Sequence, residues 1–119
     1  MRTTHKLQTA IAFAALSLAS AASADNFAEC LLEKLPGVQS HPAANAAFQI
    51  CRGEHPSQWT SVEQGSGRGL FAAYDSGDEC TLEVSRSTPQ HWAVMLMRRS
   101  CKLLYDKPYD LFDEFDIAN

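Results

Sequence analysis

The sequence predicts a small α+β domain cross-linked by two disulfides, with a helical hairpin, a β-hairpin and then a longer C-terminal helix. Apolar residues recur at helical spacing near both ends of the domain, and polar and apolar residues alternate between them. Four cysteines complete the pattern: Cys30, Cys51, Cys80 and Cys101. An even number of cysteines in a short exported chain is typical of a disulfide framework.

The N-terminal residues predict export. Arg2 and Lys6 form a positively charged start, an apolar stretch follows, and residues 22–24 (Ala-Ser-Ala) form a cleavage site. A membrane anchor is the weaker interpretation, since a spanning helix needs about 20 consecutive apolar residues. We therefore expect residues 1–24 to be a signal peptide and residues 25–119 to be one domain in the periplasm or outside the cell.

Removal of the signal peptide makes the chain more acidic. The net charge of −4 becomes −6, because Arg2 and Lys6 leave with the peptide. An acidic surface argues against binding to nucleic acid, whose phosphates are recognised by clustered Lys and Arg. No later apolar run is long enough to span a membrane, so we expect no membrane span after cleavage.

Two helices are predicted in the first half of the domain. Residues 27–35 carry apolar side chains every four residues, and either Asp25 or Asn26 can cap their N-terminal end. Residues 41–51 form the second helix, with Ser40 as its N-cap and a proline in its first turn. Small alanine side chains in the second helix would let the two helices pack closely as a hairpin.

A β-hairpin is predicted next. Residues 57–68 are loop-like, and residues 70–74 and 81–85 then flank the sequence Asp-Ser-Gly-Asp, which suits a short turn. Polar and apolar residues alternate along 81–85, as they do in a strand with one buried face.

The last helix is predicted from about residue 88 to Tyr105. Its apolar residues 92–97 also suit a buried strand, but the periodic segment is longer than strands usually are. On a helix, three basic residues fall together away from the apolar side: Arg98, Arg99 and Lys102. An acidic tail, residues 106–119, carries three aromatic residues: Tyr109, Phe112 and Phe115.

These six residues form the candidate binding face. The three basic side chains either bind an anionic partner or are solvated and paired with acidic residues of the tail, and the second interpretation is the simpler one. The tail aromatics either dock on a partner as a short amphipathic helix or pack back on the domain's own core.

The two halves of the domain are similar at an offset of 50 residues. Residues 29–51 and 79–101 share seven identities over 23 positions, and their cysteines superpose. Chance gives about one or two identities, and the offset is the one that aligns the cysteines, so duplication and coincidence both stay open. Of the three pairings that four cysteines allow, the repeat favours Cys30–Cys51 and Cys80–Cys101.

The first cysteine pair belongs to a longer motif. Residues 30–37 read Cys-Leu-Leu-Glu-Lys-Leu-Pro-Gly, and Ala43-Ala44 and Ile50-Cys51 follow. This 22-residue stretch resembles small exported bacterial proteins of unknown function that carry a C-L-L-x-x-L-x-G … A-A … C helical-hairpin motif. It departs from their pattern at Ile50, since their aliphatic residue lies a few positions before the cysteine. The resemblance implies export and β structure after the hairpin, but no activity.

The sequence contains no catalytic or cofactor signature. It lacks a G-x-S-x-G nucleophile motif, a C-x-x-C metal pair and a C-x-x-C-H haem site, so we predict no catalytic residue, no metal and no cofactor. We therefore expect a non-enzymatic protein-binding module, such as an inhibitor, an adaptor or a secreted effector. Two alternatives stay open. One is a structural envelope component, and the other is a small extracytoplasmic hydrolase that pairs a carboxylate with His41, His55 or His91.

Overall fold

Four α-helices and one short 3-10 helix make up the part of the chain that the structure, a computed structural model, describes, which is residues 24–108. In chain order they are α1 (Phe27–Lys34), α2 (His41–Glu54), the 3-10 helix (Gln58–Ser61), α3 (Gly77–Val84) and α4 (His91–Tyr105). Residues 24–108 contain no strand. Nearly all of the predicted signal peptide, and the tail from residue 109 onwards, lie outside the described residues.

Helices α1 and α2 lie where the sequence predicts a helical hairpin. Asn26 begins α1, because its side-chain oxygen accepts a hydrogen bond from the backbone N–H of Glu29 at 3.0 Å. Ser40 begins α2 in the same way, 3.3 Å from Ala43 N. Gly37, with φ of 85°, follows α1 and turns the chain, a conformation that favours glycine. Helix α2 is nearly one turn longer than predicted.

The predicted β-hairpin is wrong, and so is the predicted α+β class. Residues 70–74 form turns and bends, and residues 81–84 belong to α3. Ser76 begins α3, since its hydroxyl accepts a hydrogen bond from Glu79 N at 3.1 Å. The Glu79 carboxylate reaches back and accepts one from Asp75 N at 3.0 Å. This reciprocal arrangement resembles a capping box, which stabilises a helix start where the same residues also suit a turn.

The described residues contain the same two-helix unit twice. Helices α1 and α3 begin 50 residues apart, and so do α2 and α4. The reciprocal hydrogen bonds that begin α3 recur at α1, where Asn26 and Glu29 hold the equivalent positions. One disulfide closes each unit, Cys30–Cys51 in the first and Cys80–Cys101 in the second. This is the pairing that the repeat favours, and the shared helix starts support duplication over coincidence.

Helix α4 joins the two units, because it contacts α1, α2 and α3. Its Met97 and Leu104 side chains are fully buried. The first unit contributes an aromatic cluster to the same core, centred on Phe27. The Phe27 ring meets the Phe48 ring edge-on at 5.5 Å and the Trp59 ring edge-on at 4.9 Å. Aromatic pairs in this geometry add about 0.5–1.5 kcal/mol each beyond the area that they bury.

The second unit has a glycine at the position that corresponds to Phe27. Gly77 lies directly against α4, since a Cβ atom on Gly77 would come within 2.7 Å of Lys102 Cα. Its backbone N–H also donates a hydrogen bond to Asp106 Oδ1 at 2.8 Å. The close approach of α3 to α4 therefore depends on the missing side chain.

Gly77→Ala is expected to lower the free energy of unfolding by about 1–3 kcal/mol, because the added methyl group pushes α3 away from α4. Gly53→Ala is the matched control. Gly53 lies in α2, where an added Cβ meets no atom within 4 Å. We expect Gly53→Ala to raise the free energy of unfolding by up to about 1 kcal/mol, because alanine favours the helix more than glycine does. Urea unfolding followed by circular dichroism measures the free energy of unfolding of both variants. Equal effects of the two substitutions would contradict the close packing of α3 on α4.

Candidate functional site

A neighbouring loop caps the C-terminal end of α4. The last four carbonyl groups of an α-helix have no partner within the helix. In α4, the Lys102 carbonyl accepts a hydrogen bond from Asp106 N at 3.1 Å, and residues 64–68 give it a second donor and give one donor to each of the other three carbonyls. The hydrogen bonds run from Gln64 Nε2 to Lys102 O (2.8 Å), Gly65 N to Leu103 O (2.7 Å), Gly67 N to Leu104 O (2.8 Å) and Arg68 Nη1 to Tyr105 O (2.7 Å). The positive charge of Arg68 also suits the negative end of the helix dipole.

The two glycines of this loop allow its close contact with α4. Gly65 has φ of 80°, a conformation that favours glycine, and its N–H points at α4. A Cβ on Gly67 would come within 2.9 Å of a Tyr105 ring carbon and 3.0 Å of Leu104 O. Burial of the Tyr105 phenol raises its pKa above the usual 10.0, so the hydroxyl stays neutral at physiological pH.

The capping loop leads directly into a protruding apolar segment. The side chains of Leu70 and Phe71 are 92% and 94% exposed. Both ends of this segment are held on α4. Arg68 binds the Tyr105 carbonyl on one side, and on the other the Tyr74 ring packs edge-on against the Tyr105 ring at 5.2 Å. We call residues 69–73 the apolar loop.

Leu70 and Phe71 lie in the first strand of the predicted β-hairpin, so this exposed surface was not predicted from the sequence. The available signal was the composition on either side of them. A glycine precedes the pair and two alanines follow it. In the structure Gly69 has φ of 146°, which suits neither a strand nor a helix. Such flanks give large apolar side chains no neighbours of their own to pack against.

A groove of about 330 Å³ lies on the exposed face of α4. We call it the α4 groove, and its lining residues are Gln64, Met95, Arg98, Arg99, Lys102 and Leu103. Three of these are the basic residues of the predicted binding face, so the structure brings Arg98, Arg99 and Lys102 together as the helical spacing predicts. The groove therefore combines positive charge with the apolar side chains of Met95 and Leu103.

Lys102 is already paired within the domain. Its ammonium group lies 3.2 Å from Asp78 Oδ1 and 3.4 Å from Asp106 Oδ2. Hydrogen bonds to Asp78 and then to Asp106 raise the pKa of Lys102 above the usual 10.5, so it stays charged at neutral pH. For Lys102 the simpler interpretation, pairing with acidic residues, therefore describes what the structure contains.

The two arginines have different surroundings. The Arg99 guanidinium carbon lies 4.4 Å from the centre of the Trp59 ring, a cation–π contact that fixes its position. Arg98 is exposed. Among residues 24–108, no carboxylate lies within 4.0 Å of either guanidinium. The remaining predicted members of the binding face, Tyr109, Phe112 and Phe115, lie outside the described residues.

The hydrolase alternative needs one histidine beside a carboxylate, and His55 and Glu54 form such a pair. His41 and His91 are exposed and begin α2 and α4. His55 lies with Glu54 and Cys30, and one polar or sulfur atom of each lies within 4.8 Å of the others. The Cys30 sulfur is bonded in a disulfide, so it provides no thiolate for a metal and no proton for the Glu54 carboxylate 3.3 Å away. The group therefore offers a metal one histidine and one carboxylate.

Comparison with known protein families, with curated proteins and with solved structures finds no match for this chain. The resemblance to small exported bacterial proteins thus stays a prediction. Within residues 24–108, no helix is long and apolar enough to cross a bilayer. The two disulfides are of the kind that persists in oxidising compartments.

Arg68→Ala is expected to lower the free energy of unfolding by about 1 kcal/mol, since it removes a charged donor from the end of α4. Arg86→Ala is the control, because Arg86 makes only an exposed ion pair with Glu83 at 3.0 Å and should change stability by less than about 0.5 kcal/mol. Urea unfolding measures both variants. An effect of Arg68→Ala no larger than that of the control would contradict a stabilising role for the hydrogen bond from Arg68 to the Tyr105 carbonyl.

Proposed function

We propose that the chain is an exported, non-enzymatic module that binds another protein through the apolar loop. The nearly complete exposure of Leu70 and Phe71 on an anchored loop is the observation that supports this. Adjacent large apolar side chains in water are unfavourable unless a partner covers them, and such patches commonly mark protein interaction sites. Aromatic residues in particular often provide most of the binding energy of an interface.

The anchoring of the loop makes it an effective binding element. Ordering a free loop on binding opposes association, but Arg68 and Tyr74 already hold this one on α4. Burial of a Leu or Phe side chain contributes about 1.5–3 kcal/mol. Leu70 and Phe71 together therefore contribute about 3–6 kcal/mol, which corresponds to roughly two to four orders of magnitude in Kd. The partner that fits is a protein with an apolar pocket that receives both side chains.

The proposed location is the periplasm or the outside of the cell. The signal peptide that the sequence predicts over residues 1–24 supports it, and so do the two disulfides, which reducing compartments do not maintain. The net charge of −6 that cleavage would leave opposes aggregation through the exposed apolar loop, because like charges repel. These properties suit an inhibitor or an adaptor whose protruding loop enters a pocket on another exported protein.

The test compares three purified, oxidised proteins as baits in envelope and culture-medium fractions. The wild-type protein is expected to retain a stoichiometric partner. The double variant Leu70→Asp, Phe71→Asp is expected to lose it, because two charges cannot enter an apolar pocket. Leu82→Asp is the matched control and should retain the partner, since Leu82 is a 69% exposed leucine on α3.

Capture of the same partner by all three proteins would contradict a role for the apolar loop. Circular dichroism of each bait shows whether it is folded, and so excludes unfolding as the reason why a variant fails to capture the partner. Sedimentation equilibrium of the wild-type protein tests the structural envelope component as an alternative. Self-association that the double variant abolishes would favour that alternative over the proposed module.

A further inference from the structure

The described chain ends beside the α4 groove. The Asp106 carbonyl accepts a hydrogen bond at 3.1 Å from Gln64 Nε2, and Gln64 lines the groove. Pro108 lies next to the capping loop, since a Cβ on Gly65 would come within 3.2 Å of Pro108 Cδ. The described chain therefore ends, at Pro108, close to the capping loop that borders the groove. The groove extends from Leu103 back to Met95, about 12 Å along the helix, which eleven further residues can easily span.

The charges of the groove and of the last eleven residues are opposite. Arg98 and Arg99 have no carboxylate within 4.0 Å among residues 24–108, although the protein as a whole is acidic. Residues 109–119 contain no lysine or arginine, and they carry four carboxylate side chains: Asp110, Asp113, Glu114 and Asp116. Guanidinium groups bind carboxylates with paired hydrogen bonds, which strengthens such contacts.

The apolar parts of the two surfaces also match. Met95 is 43% exposed at the groove, and Leu103 lies beside the basic side chains. The last eleven residues place apolar side chains three and four positions apart, as on one face of a helix: Leu111, Phe112 and Phe115. The groove volume of about 330 Å³ lies at the small end of the range for binding pockets, about 300–1,000 Å³. It therefore suits a single large side chain with charged residues around it.

We propose that the α4 groove is the docking site of the chain's own C-terminal segment, residues 109–119. Arg98 and Arg99 bind the carboxylates of the segment, and one of its aromatic side chains covers Met95 and Leu103. The segment is joined to Pro108 at the edge of the groove, so its effective concentration there is in the millimolar range. This favours the chain's own segment over an acidic segment of a second copy or of another protein.

The test measures the backbone order of residues 110–117 by 15N relaxation in the full mature chain. Docked residues are expected to have order parameters near about 0.85, and free ones below about 0.6. In the double variant Arg98→Glu, Arg99→Glu the values should fall to those of a free chain, because both attractive contacts become repulsive. Arg52→Glu, which reverses an exposed arginine on α2, is the control and should leave them unchanged.

Charge reversal in the C-terminal segment distinguishes a direct contact between the segment and the two arginines from an indirect effect of the arginine substitutions. Replacing all four carboxylates of the segment with lysine should free it, and combining this change with Arg98→Glu, Arg99→Glu should restore its order. Low order parameters in the wild-type protein would overturn the proposal. High values that persist in the double arginine variant would do so too.

Sedimentation equilibrium at the concentration of the relaxation experiment distinguishes docking within one chain from exchange between two chains. A monomer with an ordered segment is the expected result. A dimer that dissociates in the double arginine variant would assign the groove to the segment of a second copy, and would overturn docking within the chain.

Discussion

The carbonyl groups of Leu103, Leu104 and Tyr105 at the C-terminal end of α4 need hydrogen-bond donors from outside the helix, and the arrangement of both candidate surfaces depends on how they obtain them. Leu104 is fully buried, so an unpaired carbonyl there would cost about 1–3 kcal/mol. Residues 64–68 supply these three donors, and a second donor to the Lys102 carbonyl, and are thereby held against α4. The apolar loop follows them directly, and the chain leaves α4 beside Gln64. One set of hydrogen bonds therefore places the apolar loop and the start of the C-terminal segment close to one another.

The two units of the repeat have diverged, and they therefore have different roles in the domain. Both units keep the helix starts and one disulfide, but the positions between them have diverged. Phe48 of the first unit corresponds to Arg98 of the second, and Phe48 packs on Phe27 whereas Arg98 is exposed. Phe27 itself corresponds to Gly77, which lets α3 approach α4. The first unit thus contributes an aromatic core, and the second contributes close helix packing and the exposed face of α4.

The starts of α1 and α2 and the grouping of basic residues were predictable because both depend on local spacing, whereas α4 begins at His91, about three residues after its predicted start. Asn26 and Ser40 cap the helices that their sequences indicate. Arg98, Arg99 and Lys102 share a face for the same local reason, since residues three and four apart are neighbours on a helix. These features need no knowledge of which elements pack together.

The β-hairpin was predicted wrongly because residues 81–85 alternate in polarity over too short a stretch to exclude a helix. The repeat carried the missing information, since Glu79 corresponds to Glu29, which begins a helix. The exposure of Leu70 and Phe71 depends on tertiary contacts that a local pattern does not contain. For the same reason, neither the role of Gln64 in the groove nor the pairing of Lys102 with Asp78 was predictable.

Native-state hydrogen exchange of the Gly65 and Gly67 amide protons tests most directly whether the capping loop is fixed on α4. Both N–H groups donate to α4 carbonyls at 2.7 Å and 2.8 Å, so they should exchange only when the domain unfolds, as slowly as the amides in the buried part of α4. Exchange of both protons as fast as in an exposed loop would contradict this account. The apolar loop and the chain end would then lack the anchor on which both surfaces depend.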